Sequence, residues 1–458
     1  MQPPQPSDAI PATLQNPAAA RFWLALIGTG AVAGVGAAAL TRLLETVQRL
    51  VWGGTGRDLL ASAGQATLEH HVLVLLAAGV ITGIGQIVLR RLSSGNGIDT
   101  TAAIWFHAGR LPSLRTLGSA ILSVIIVGMG VSLGREGAPK QVGAVFANFF
   151  ADRKKLSDEQ RRLLVACGAG AGMAAAYGVP LGGALFSLEV MRGVLALRYV
   201  LPALVTSVVA TAVAWTVLPA PTYVIPAYGN SASVIVWALL AGPIAGLFSV
   251  VYVRLITWAE RNKPQNWRRF VIPLAGLGLL GLASARFPQI LGNGKDVSQL
   301  AFVNRVPILL LLTLLVLKPL ATIVCVRCGA PGGLFTPSLT AGAMLGGVLG
   351  YAWSWLWAGA PVGLCAILGA GAVLAATTQG PISAVVLMME LTGRDRSFIL
   401  PLLLAASTAT LVARSIERRS IYDARLPDEE IEARYKLRES VAAPSSALTS
   451  LATSNLTN

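Results

Sequence analysis

The sequence predicts an all-α polytopic membrane protein built from two related halves, with several helices that cross only part of the bilayer. Three observations carry this. The chain of 458 residues is 54% hydrophobic and 12% charged, about half the charged share of a typical soluble domain, which is roughly 25%. Its mean hydropathy is +0.65. Apolar stretches of spanning length recur along the chain, and no alternating barrel pattern accompanies them, so helices are the structure lipid permits here. Finally, a segment returns 201 positions later: Gly168-Ala169-Gly170-Ala171 as Gly369-Ala370-Gly371-Ala372, Pro180 as Pro381 and Glu189 as Glu390. Glycine and alanine could coincide by chance, but a proline and a glutamate kept in register are harder to dismiss. Repeated halves in a membrane protein point to a transporter-type architecture with its site between the repeats, near the midplane.

In chain order, residues 1–20 are polar and proline-rich and are expected to form a tail, without the charged n-region and apolar core of a signal peptide. The first half, residues 21–218, carries the stretches Phe22–Leu43, Val72–Leu89 and Val200–Leu218. A polar connector, Pro219–Ser233, leads to the second half, residues 234–414, with Val234–Val253, Ile308–Val324 and Ile399–Val412. Ile121–Leu133, Leu334–Leu349 and Val362–Ala375 are shorter or laced with glycine and read as buried or half-membrane helices. Residues 415–439 form a charged segment after the last membrane helix, and 440–458 a Ser/Thr/Ala-rich tail expected to be disordered.

Several function classes fall away. The net charge of +15 sits in loops and helix ends, such as Arg90-Arg91, Arg153-Lys154-Lys155 and Arg418-Arg419. That placement fits cytoplasmic loops under the positive-inside rule rather than a nucleic-acid face. Cys325-x-x-Cys328 lacks a second pair for a zinc site, and His70, His71 and His107 form no ligand set with it. Gly276-x-Gly278-x-x-Gly281 imitates a dinucleotide motif but lies inside an apolar run with no preceding strand, where close helix packing explains it. An intramembrane metalloenzyme would want a His-Glu-x-x-His helix, which the chain does not contain. No enzyme and no cofactor is expected. A sodium symporter shares the architecture but does not predict the motifs that follow.

Four segments interrupt the apolar helices: Ser94-Gly95-Asn96-Gly97-Ile98-Asp99, Gly134-Arg135-Glu136-Gly137-Ala138-Pro139, Gly332-Gly333-Leu334-Phe335-Thr336-Pro337 and Ser420-Ile421-Tyr422. Glycine lets main-chain N–H groups approach a ligand closely. A helix that starts after such a break aims free N–H groups and the positive end of its dipole at whatever sits there. Several such ends converging would bind an anion without a ring of full charges that holds it too tightly to release. A lone intramembrane carboxylate such as Glu136 is costly unless it has a partner or a function. The bland alternative is a structural salt bridge with Arg135.

Gly134-Arg135-Glu136-Gly137, then Gly332-Gly333-Leu334-Phe335-Thr336-Pro337 after Gly329-Ala330-Pro331, and the repeated halves resemble the CLC family of chloride channels and anion/proton antiporters, over about residues 21–425. Within it the GREGA segment and the late Ser-Ile-Tyr look most like the bacterial ClcB-like branch. The resemblance implies an inverted-repeat fold with many tilted and half-membrane helices, and a homodimer in the bacterial inner membrane with an independent path for chloride or a related anion in each subunit. It implies that Glu136 is the gating glutamate, whose carboxylate occupies an anion site and swings away when protonated. Leu334 and Phe335 match residues that contact the anion through backbone N–H groups, Tyr422 matches the inner-gate tyrosine, and Asn96, Gly97 and Ile98 lie in the family's first anion-binding motif.

The chain departs from the family at two places. Where the first motif carries a serine and a proline, this chain has Asn96 and Asp99, which bears on the choice among chloride, fluoride and nitrate. At the position of the internal proton-transfer glutamate it has Val190, which relays no proton. Glu189 and its repeat mate Glu390 read as structural. The expected function is therefore a passive anion conductance gated by Glu136, implied by the resemblance to act as an electrical shunt in acid stress. The alternative is an anion/proton antiporter using another internal acid such as Glu189.

Overall fold

The computed structural model describes residues 17–54, 58–92, 99–218, 223–229, 231–393 and 398–442. The first half runs through α1 (Pro17–Trp52), α2 (Leu59–Ala63), α3 (Leu68–Arg91), α4 (Thr100–Phe106), α5 (Ser113–Gly128), α6 (Gly137–Arg153), α7 (Asp158–Tyr177), α8 (Pro180–Leu185) with a π-helical continuation over Phe186–Arg192, and α9 (Leu197–Trp215). The second comprises α10 (Ala232–Arg261), α11 (Arg268–Arg286), α12 (Lys295–Phe302), α13 (Ile308–Arg327), α14 (Phe335–Leu356), α15 (Val362–Thr378), α16 (Pro381–Thr392) and α17 (Ile399–Ile416). After these, α18 (Asp428–Ala442) folds back through the charged segment. Among the described residues the regular structure is helical, apart from one isolated bridge between Gly134 and Gly333.

Seven helices are long and apolar enough to cross a membrane. Five contain stretches expected from the sequence, and α9 matches the sixth but stops at Trp215, short of the expected Leu218. The seventh, α11, has the lowest mean hydropathy of the set, 1.3, because arginines end it and glycines dilute it. Those glycines are packing devices: a Cβ on Gly281 would lie 3.0 Å from the His71 carbonyl of α3, and one on Gly276 would strike the Cys328 sulfur. The broken pieces also differ in extent from the expected ones. α5 stops at Gly128, so Val131–Leu133 is loop, and α14 runs on to Leu356. Helix α1 begins at Pro17, inside the expected tail.

The 201-residue repeat is a structural repeat. Helix α7 starts on a Ser157/Gln160 capping box, which satisfies orphan amides at both positions. It ends at Gly178 with φ +71°, and Pro180 then opens α8. The equivalent α15 ends at Gln379 with φ +59°, and Pro381 opens α16. Proline is suited to the first helical position because its missing N–H is not needed there. The Gly-Ala runs of α7 and α15 let the site-bearing helices approach. A Cβ on Gly143 of α6 would lie 1.9 Å from the Gly168 carbonyl, and one on Gly369 of α15 would lie 2.5 Å from the Gly346 Cα of α14. Small residues at such crossings are how helices pack in lipid.

Glu189 and Glu390 tie the halves together. Glu390 accepts hydrogen bonds from the Leu181 and Gly182 amides, at 3.0 and 2.6 Å, at the start of α8. Glu189 accepts from the Ile382 and Ser383 amides, at 3.2 and 2.6 Å, and from the Ser383 hydroxyl at 2.6 Å, at the start of α16. Each acid caps the short helix of the opposite repeat. This favours the negative charge and satisfies donors that a helix N-terminus leaves open.

Candidate anion site

The two glycine-rich breaks of the first and second halves meet. Gly134 and Gly333 exchange backbone hydrogen bonds of 2.8 Å in both directions, which brings the start of α6 against the start of α14. Glu136 is the last residue before α6 and is 3% exposed. Its carboxylate crosses to α14. Oε1 accepts from the Phe335 amide at 2.7 Å and, more weakly, from the Thr336 amide at 3.4 Å, while Oε2 accepts from the Thr336 hydroxyl at 3.0 Å and the Tyr177 hydroxyl at 3.1 Å. Tyr177 ends α7, and its hydroxyl also lies 2.7 Å from the Thr336 hydroxyl, so its single proton is shared between that oxygen and Glu136. A carboxylate so far from water is tolerated because donors replace its hydration. A Cβ on either Gly134 or Gly333 would lie 2.1 Å from Glu136 Oε1, so both glycines are required for the acid to seat.

These donors are two amides at a helix N-terminus and two hydroxyls, with no full positive charge in contact. Amides at a helix N-terminus are the kind of donor that suits a small anion as well as a carboxylate. Arg135 is not a partner of Glu136: among the described residues no ion pair joins them, and its guanidinium carbon instead lies 5.0 Å from the centre of the Tyr177 ring. Leu334 is the residue before α14 and is buried, as is Phe335, so what they offer the site is main chain.

A cavity of about 330 Å³ leads away from the nest, lined by Glu136, Gly333, Leu334, Lys140 and Tyr422 among others. Tyr422 is 8% exposed, and its hydroxyl makes no hydrogen bond to a described residue, leaving it available to a ligand in the cavity. Four contacts fix its ring and turn. Phe186 packs edge-on at 5.6 Å between centroids. The Ile421 amide donates to the Thr377 carbonyl at 2.7 Å. Asp423 accepts from the amide and hydroxyl of Ser420, both at 2.8 Å. Arg434 of α18, itself buried, pairs with Asp423 and donates to the Val190 carbonyl at 3.1 Å.

Asn96, Gly97 and Ile98 lie outside the described residues. Asp99, next to them, caps α4 through the Thr101 amide at 2.8 Å and pairs with Arg425 at 3.5 Å on the cavity wall. Val190 is buried beside Glu189, whose carboxylate is committed to the amides of α16. Sequence reasoning missed Lys140, which is 6% exposed and puts its ammonium 4.7 Å from the centre of the Tyr422 ring. The signal was a lysine one helical turn after Glu136, in the first turn of α6, since an ionisable side chain within the membrane points to function by default.

The sequence model of a family described as voltage gated chloride channel matches residues 78–414. A putative chloride channel protein, ClcB-like, of Ralstonia nicotianae is 32% identical over 413 residues, covering 86% of this chain and 94% of that protein. An H(+)/Cl(−) exchange transporter ClcA of Klebsiella pneumoniae is 28% identical over 431 residues, covering 89% and 88%. Among solved structures, a slow cyanobacterial Cl−/H+ antiporter superposes with a TM-score of 0.77 at 22% identity, covering 88% of this chain and 96% of that one. The length of the match, the repeated halves and the helical fold agree: this multi-pass membrane protein belongs to the CLC family of chloride channels and transporters.

Proposed function

We propose that this chain is a passive anion conductance, with chloride as its ion and Glu136 as its gate. The observation that carries the reading is the Glu136 carboxylate seated on the amides of Phe335 and Thr336 at the head of a cavity that also holds Tyr422. In that position the side chain blocks the nest and imitates the ion. Protonation cancels the charge that the N–H groups hold, the acid leaves, and an anion takes its donors. Tyr422 donates its hydroxyl from the inner side. The passive character is supported by Val190 at the internal relay position and by the full engagement of Glu189 in capping α16. On this reading the protein is a homodimer in a bacterial inner membrane, one path per subunit, with residues 21–218 and 234–414 as its two repeats. Its physiological role would be a shunt for charge moved by acid-consuming reactions.

The second reading is an anion/proton antiporter, favoured by the relative named as an exchange transporter. Reversal potentials in reconstituted vesicles separate the two. A conductance reverses at the chloride equilibrium potential whatever the proton gradient, and a shift on imposing a proton gradient at fixed chloride overturns the passive reading. Glu136→Ala is expected to change chloride flux and its pH dependence while leaving fold and assembly intact. Flux indifferent to that change would overturn Glu136 as the gate.

A further inference from the structure

The cavity below the nest carries five cations and three acids: Arg90, Arg115, Lys140, Lys263 and Arg425 against Asp99, Glu136 and Glu260. At least four of these eight charges already answer one another. Arg425 pairs with Glu260 at 3.1 Å and with Asp99 at 3.5 Å, and Lys263 pairs with Glu260. Asp99 is further engaged by the Thr101 amide. Lys140 differs. It is buried, it lines the cavity, and among the described residues its ammonium has neither a hydrogen bond nor an ion pair. Its ammonium lies over the face of the Tyr422 ring. The charges acting on it are Asp99, Arg425 and Glu136, of which Glu136 is one helical turn back along α6.

A buried ammonium without a partner is costly, and a cation over an aromatic face recovers only part of that cost. The missing partner is an anion in the cavity. We propose that the Lys140 ammonium is an anion ligand in the vestibule between Glu136 and Tyr422, and that it biases the path toward small, strongly hydrated halides over large polarisable anions. This deepens the reading of the site as an anion path and rests on it.

The selectivity follows from what each donor is. A backbone N–H or tyrosine hydroxyl is a dipole of modest field, whereas an ammonium is a compact point charge with three donors. The stronger and more compact the local field, the more it returns to a small ion for its lost water relative to a large one. Lys140 also supplies charge balance: when the Glu136 carboxylate is neutralised, the cavity loses one acid, and an entering halide replaces it opposite the same cation.

The test uses the full-length protein in detergent and in vesicles. Chloride binding is measured by titration calorimetry on the wild type, Lys140→Met and Lys140→Arg, with size-exclusion and circular dichroism profiles to confirm the fold. Lys140→Met is expected to weaken chloride binding at least about tenfold, as removal of a contacting unit charge at moderate effective dielectric requires. Lys140→Arg is expected to retain most of the affinity. In vesicles, Lys140→Met should raise the thiocyanate-to-chloride flux ratio. Unchanged chloride affinity and an unchanged flux ratio in a folded Lys140→Met protein overturn the proposal. Should that variant not fold, wild-type crystals soaked in bromide decide: an anomalous peak beside the Lys140 Nζ supports it, and a peak elsewhere in the cavity or none overturns it. Failure here leaves the Glu136 result standing, while indifference to Glu136→Ala with weakened binding in Lys140→Met strikes only the gate.

Discussion

Replacing Glu136 with glutamine keeps the size of the gate and removes its charge, and the structure sets how much this should matter. Two hydrogen bonds hold the carboxylate firmly, from the Phe335 amide at 2.7 Å and the Thr336 hydroxyl at 3.0 Å, and the Tyr177 hydroxyl at 3.1 Å adds a proton it shares with Thr336. A hydrogen bond to a charged group contributes about 1.5–3 kcal/mol net, and a neutral one about half as much. Losing the charge across these bonds therefore weakens the closed arrangement by about 2–4 kcal/mol. That is a shift of about 30- to 1,000-fold toward the open state, at 1.4 kcal/mol per decade. The assay is chloride efflux from vesicles carrying a potassium gradient and valinomycin, at neutral and mildly acidic pH. Wild type should be slow at neutral pH and faster in acid, and Glu136→Gln fast at both. A folded Glu136→Gln protein with the wild-type response to pH would refute the argument, because the hydrogen bonds seen here would then not govern the gate.

Further outcomes follow from other parts of the structure. Gly134→Ala places a methyl 2.1 Å from where Glu136 Oε1 sits, so it should expel the carboxylate and copy the pH-insensitive flux of Glu136→Gln; wild-type flux would show that the acid does not seat there. Arg434→Met leaves the buried Asp423 carboxylate without its cation, which should cost about 3–5 kcal/mol and lower the melting temperature in detergent. Adding Asp423→Leu should recover much of that loss, and no recovery would count against a pairwise origin. Burial alone would raise the Glu417 carboxyl, but hydrogen bonds from Arg419 and Arg254 outweigh it and hold the group below the usual glutamate value of 4.5. Stability from a depressed carboxylate is complete above the unfolded value and lost as pH falls through the folded one. The melting temperature of Glu417→Gln should therefore decline less steeply than wild type in acid, and superimposable acid limbs would refute the assignment.

The sequence was most legible where one residue type decides the outcome. Unbroken apolar runs marked six long helices, and Gly-Arg-Glu-Gly with Gly-Gly-Leu-Phe marked the two breaks that meet at Gly134 and Gly333. Helix α11 was harder, since its glycines lower hydropathy while serving the contact with α3. What linear order could not show was which distant charges become neighbours. Arg434 reaches Val190 and Asp423 only because α18 folds back. Lys140 faces Tyr422 only because the late Ser-Ile-Tyr turn is brought under α6. Asp99 was visible as a departure from the family motif, but its engagement with Arg425 required the fold.

The exchange of carboxylates between Glu189 and Glu390 has a consequence for assembly. Each repeat is unfinished alone: α8 borrows its terminating acid from the second half and α16 from the first. Were the polypeptide cut at the connector, either fragment would present bare amides to hydrocarbon, an expensive state that lipid cannot relieve. Each half therefore completes the helix cap of the other. Damage at one junction would be felt at its mirror image, remote from the route the ion takes.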